Sequence, residues 1–177
     1  MKTILIVTAA FIVAATICCT SDTTENKTAE TPAAPAVDSA AIKNLETVHL
    51  FNKAFETGDF SAIRAVLADD AIDHAGMNGD VKGGDSVLAE IQAMSKMMTD
   101  MKSTVIKELA DKDYVFEWMQ SSGKMAADGF GMKKGDTYSG DAIEVTRFNS
   151  DGKAAEHWTF MNSADMMKMM GSMGGGK

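Results

Sequence analysis

Asp141, Asp73 and His74 are the side chains of this 177-residue chain whose type and placement best suit proton transfer. Asp151-Gly152, ten residues beyond Asp141, is a dipeptide that favours a tight hairpin turn. With those two residues as the turn, the flanking strands pair Arg147 with Glu156, Val145 with Trp158, Ile143 with Phe160 and Asp141 with Asn162. Side chains alternate along a strand, so all eight share one face. Its apolar members assign that face to the core and to any cavity within it. Arg147 and Glu156 then form a cross-strand ion pair that supports the sheet by about 0.2–1 kcal/mol. Asp141 has no base opposite it, and a carboxylate held on an apolar face is suited to moving a proton. The alternative is a strand-start residue tied to nearby backbone or solvated at the cavity mouth. Asp73 and His74 are neighbours on a strand and point to opposite faces, so only one of them looks inward. His74 could polarise a carbonyl or orient Asp141, or serve as a satisfied structural residue. His157 falls on the face opposite Trp158, near Thr146, and is expected outside the cavity; His49 is given no chemistry. Histidines scattered in this way make no zinc site, and no metal is expected.

Methionine is the other chemical feature, with 15 residues. Met94, Met98 and Met101 recur at helical spacing and fit a buried stripe. Met166, Met167, Met169, Met170 and Met173 crowd the tail. Thioethers are soft ligands that suit copper(I). They also line adaptable apolar surfaces, which explains the same clusters without metal.

The elements that must position these groups follow from periodicity and punctuation. Asp38 or Ser39 caps a helix over 40–56, and Gly58 stops it with Asp59 as the next cap. A short helix carries Phe60, Ile63, Val66 and Leu67. Residues 69–74 read as a strand, closed by the Gly76 to Asp80 turn. Asp85 caps a third helix over about 86–101. Strands follow at 103–109, 114–120, 137–148 and 153–161, with 121–135 as an irregular loop or short edge strand. Helices followed by antiparallel strands make an α+β chain.

The first 19 residues hold Lys2, an apolar run from Ile4 to Ile17 and then Cys18-Cys19, the layout of a secretory signal. It resembles a bacterial lipoprotein signal, which implies acylation at Cys18 or Cys19 and a cell-envelope protein anchored to membrane by lipid. No further cysteine exists, so the exported domain has neither disulfide nor thiolate site. Residues 20–41 are rich in Thr, Ala and Ser and hold both prolines, which predicts a flexible tether. The domain proper is expected over 42–165, and 166–177 as a Met/Gly-rich tail. A net charge of −8, one unit more negative once Lys2 is removed, argues against nucleic acid.

Phe51 and Phe55 on the first helix, the Gly58-Asp59 break, Leu67 to Ala71, Gly83-Gly84 and the stretch from Glu144 to Trp158 together resemble the nuclear-transport-factor-2-like superfamily. The branch they resemble is the SnoaL-like polyketide cyclase and ester cyclase group, over 41–163. The resemblance implies a cone: a strongly curved, mainly antiparallel sheet wrapped around three N-terminal helices, with an internal pocket. It also implies that Asp141 matches the aspartate serving these cyclases as general acid/base, without metal or cofactor, and that homodimers through the sheet are to be expected. Three functions stay open. The first is binding of a small, mostly apolar organic ligand, with Phe51, Phe55, Met94, Met98, Trp118, Trp158 and Phe160 as lining. The second is a cofactor-free cyclase, isomerase or hydrolase using Asp141, assisted by His74 or Asp73. The third is a protein-interaction or copper-binding module built on the tail.

Overall fold

Helix α1 (Ser39–Thr57) is fixed at both ends by its own residues. The Asp38 carboxylate accepts from the Ala40 amide at 2.9 Å, and Gly58, at φ 73°, donates its amide to the Ala54 carbonyl at 2.8 Å. The computed structural model describes residues 38–76, 78–165 and 167. After α1 come α2 (Ile63–Val66), β1 (Leu67–Asp73), β2 (Val81–Lys82), α3 (Gly84–Ser95), β3 (Met98–Ala110), β4 (Tyr114–Met125), β5 (Thr137–Phe148) and β6 (Ala154–Met161). The six strands form one open sheet in the order β2-β1-β6-β5-β4-β3, antiparallel except for the β1–β6 pair. Register shifts in β1, β3 and at the β5–β6 turn bend it. This is the α+β architecture expected.

One face of the sheet packs on α1 and α3. Val48, Ala54, Ile63, Leu67, Val87, Ile91, Val115 and Phe148 meet there as a buried core. Gly84 permits the close approach of α3 to β1, because a Cβ at that position would lie 2.5 Å from the Ala68 carbonyl oxygen.

Several local expectations are corrected. The third helix ends at Ser95, and Met98 and Met101 belong to β3. Both still face the interior, although residues three apart on a regular strand face opposite ways. The reason is a kink at Asp100, which sits at φ 55° inside the register shift between Thr99 and Lys102. Asp85 lies in the first turn of α3, paired with Arg64, and Gly83 takes the cap position. Residues 121–125 extend β4, after which Gly129 and Met132 bracket a tight turn with Phe130 at φ 51° and Gly131 at φ 73°. The last hairpin does not turn on two residues. Asn149 closes it against Lys153, its carboxamide accepting from the Asp151 and Lys153 amides. An extra residue at the shift between Arg147 and Phe148 then restores the expected pairs, Arg147 with Glu156, Val145 with Trp158 and Ile143 with Phe160.

The expectations for 1–37 and for the tail at 166 and 168–177, including the lipidation cysteines and most of the methionine cluster, lie outside the described residues. No helix among the described residues is long and apolar enough to cross a membrane.

Candidate functional site

A cavity of about 460 Å³ lies between α1, α3 and the inner face of the sheet. Phe51 and Phe55 come from α1, Met94 from α3, Met98 and Met101 from the kinked start of β3, and Met119 from β4. Flexible thioethers and flat rings give this wall an adaptable apolar surface. Phe130, held at positive φ by its turn, adds its ring at 130, and Tyr138 stands six residues along β5 from Glu144. The Tyr138 hydroxyl is buried and has no hydrogen-bond partner among the described residues.

The polar groups are set by strand pairing. Glu108, Glu117, Glu144 and Thr159 stand opposite one another on β3, β4, β5 and β6, and Thr146 and His157 form the next row. Glu117, Glu144, Thr146, His157, Thr159 and Asp73 all line the cavity. His157 bridges Asp73 and Glu144, with Nδ1 3.0 Å from Asp73 Oδ1 and Nε2 3.0 Å from Glu144 Oε2. The Thr159 hydroxyl donates to the same Glu144 oxygen at 2.6 Å. Burial opposes charge on His157, yet the hydrogen bonds and charges of Asp73 and Glu144 outweigh it and push its pKa up to about 10. Burial likewise works against the Asp73 carboxylate, but the His157 bond and charge, together with the Ala75 amide, hold it below the usual range. The histidine is therefore a cation with both N–H groups committed to carboxylates.

Glu117 is different. It is 2% exposed, and its one hydrogen bond from the described residues comes from the neutral Asn52 carboxamide, at 2.9 Å to Oε1. Burial drives its pKa upward; the Asn52 bond and His49 pull back, while Glu108 and Glu144 add to the rise, and the result is about 7. A carboxyl group poised near neutrality in an apolar cavity is a group able to accept and return a proton.

Among the residues singled out from sequence, Phe51, Phe55, Met94, Met98 and Asp73 line the cavity; Asp141, His74, Trp118, Trp158 and Phe160 do not. The inward face assigned to Ile143, Val145, Trp158 and Phe160 is in fact the outer one. Trp118, Ile143 and Phe160 are 45%, 38% and 57% exposed there. Asp141 shares that side and accepts from the Gln120 carboxamide at 3.2 Å. His74 stacks on Trp158 with centroids 4.8 Å apart and bridges Asp80 and Glu156. Asp73 and His74 do point to opposite faces, as their adjacency requires. His157, expected outside, is at the centre of the inner polar cluster.

His49, Glu108 and Glu117 bring three potential ligand atoms within 4.8 Å of one another. His49 Nε2 and Glu108 Oε2 are already in contact at 2.8 Å, and Asn52 donates to Glu117, so each of the three side chains already has a protein partner.

The family profile of the SnoaL-like domain matches residues 48–157. No curated protein matches the chain at a significant level. Among solved structures, TsrD from Streptomyces laurentii is similar at 20% identity and a TM-score of 0.63, over 77% of this chain and 99% of its own. IdmH from Streptomyces antibioticus, provisionally assigned as a polyketide cyclase, shares 24% identity over 72% of this chain and 98% of its own, with a TM-score of 0.58. An LEH-like epoxide hydrolase from M. tuberculosis shares 16% identity over 73% of this chain and 90% of its own, with a TM-score of 0.59. At these identities the likeness is one of fold.

Proposed function

The chain belongs to the SnoaL-like domain family, and from that premise we propose that it binds a small, mostly apolar organic molecule in its cavity. The observation that carries this reading is the cavity itself: about 460 Å³, walled by aromatic rings and thioethers, with carboxylates and one histidine converging on the sheet side. Small-molecule sites have volumes of about 300–1,000 Å³ and this same mixture of apolar wall and few polar groups. Native mass spectrometry of the full chain, gently purified from the cells that make it, should show an added organic mass. A bare chain that also binds none of a panel of terpenoid, aromatic and aliphatic probes would refute the reading.

A second reading is catalytic and is favoured by Glu117. In it Glu117 takes a proton from the bound molecule and returns it elsewhere, with Glu144 and the His157 cation fixing the charge around it and no cofactor required. Asp141, on the outer face, has no part in this version. The cyclase and epoxide hydrolase that share the fold lend the idea chemical precedent. Incubation with the co-purified ligand in heavy water should exchange a carbon-bound proton in the wild type and not in Glu117→Gln. Equal exchange in both would remove Glu117 from the role.

The domain is further proposed to work at the cell envelope, held by an acyl chain on Cys18 or Cys19, and to pair with a second copy through its outer sheet face. The signal-like first 19 residues support the one, and the exposed Phe116, Trp118, Ile143 and Phe160 support the other.

A further inference from the structure

On the binding reading above, we infer that the ligand carries a protonated amine on an apolar body, with the ammonium seated between Glu117 and Glu144. The cavity lining among the described residues includes Asp73, Glu117, Glu144 and Glu156, and neither lysine nor arginine. His157 is its only base, and both ring nitrogens are spent, one on Asp73 and one on Glu144. Glu156 is balanced by Arg147 and His74. One histidine charge thus answers two carboxylates, and Glu117 is answered only by a neutral carboxamide.

Open acceptor atoms point the same way. Both hydrogen bonds to Glu144 fall on Oε2, and the one to Glu117 falls on Oε1, so each carboxylate keeps a second oxygen that takes no hydrogen bond from the described residues. An ammonium offers three donors and no acceptor, which matches a site made of acceptors. A carboxylate or phosphate would meet like charge in a low dielectric, with no free cation to receive it. The aromatic rings of Phe51 and Phe55 along the wall tolerate a nearby cation as well as an apolar body.

Groups facing Glu117 come from three directions: His49 and Asn52 on α1, Glu108 on β3 and Glu144 on β5. His49 is already paired with Glu108 at 2.8 Å. An arriving ammonium is therefore the missing counter-charge, and by favouring the ionised carboxylate it expels a proton as it binds.

The test is calorimetric titration of the full chain, in non-ionic detergent near neutral pH, with phenylbutylamine, phenylbutanol and phenylbutyrate, in two buffers of different ionisation enthalpy. The amine should bind about tenfold or more tightly than the alcohol, the carboxylate should bind least, and amine binding should release protons. Glu117→Gln and Glu144→Gln should each shrink the preference for amine over alcohol. If either variant fails to fold, proton release by the wild type decides. Alcohol or carboxylate binding as tight as the amine, or no proton release, overturns the amine assignment and leaves the binding reading in place. Failure of all three probes to bind overturns both.

Discussion

Glu117 on β4 and Glu144 on β5 stand directly opposite one another on the cavity side of the sheet. Glu108 extends the row on β3, so three carboxylates lie side by side where like charges ordinarily repel. Each is quenched differently. Glu108 has His49 and Glu144 has the His157 cation, while Glu117 has only Asn52 and meets its burial by holding its proton up to about pH 7.

Glu117→Gln should stabilise the fold above neutrality. The folded pKa of about 7 lies above the ordinary 4.5, so the wild type is favoured while Glu117 stays protonated and loses that advantage as pH rises from 4.5 to 7. The variant, isosteric and neutral, should match the wild type at low pH and exceed it by up to about 3 kcal/mol above neutrality. Urea unfolding at a series of pH values measures this. Parallel pH curves for the two proteins would show that Glu117 is ionised at no cost.

Asp73→Asn should weaken the fold by about 1–3 kcal/mol, since it replaces the charged acceptor facing a charged histidine with a neutral carboxamide. With a folded pKa of about 10, His157 contributes stability that is complete below about 6.5 and lost as pH climbs through about 10. In the variant the contribution should be smaller, and its loss should be complete at a lower pH. Thermal unfolding at neutral and alkaline pH reads both effects.

Trp118→Glu should turn a dimer into a monomer without altering ligand binding, because Trp118 is exposed on the outer face and absent from the cavity wall. Light scattering on the eluted full chain gives the mass. An unchanged mass would separate the outer face from assembly.

Replacing whichever of Cys18 or Cys19 is acylated should abolish incorporation of labelled fatty acid and release the protein from the membrane fraction. Retention in membranes with both cysteines changed to alanine would contradict lipid anchoring.

Much of the fold was legible because its signals are local. Asp38, Gly58 and the spacing of Phe51 and Phe55 define α1, and alternation along β5 and β6 gives their pairing. Which side of that hairpin faces inward was not legible, because the outer side is the more apolar of the two. Phe116, Trp118, Ile143 and Phe160 look like core and lie outside, whereas Glu117, Glu144, His157 and Thr159 look like surface and line the cavity. Alternation fixes which residues share a face and says nothing about which face is covered. The available signal was the polar set itself: the same register that pairs Val145 with Trp158 also sets Glu144 against Thr159 and Thr146 against His157. A glutamate, two threonines and a histidine gathered on one strand pair are costly to bury without a purpose.

Ser121 lines the cavity from β4, so Ser121→Trp should fill part of it without touching the carboxylate row. The most direct measurement is the native mass of wild-type and Ser121→Trp full chains, purified side by side and then offered the same apolar probe. An organic mass on the wild type that is absent or much reduced on the folded variant is the result expected of a ligand-binding cavity. Equal occupancy of both proteins, or of neither, would contradict it.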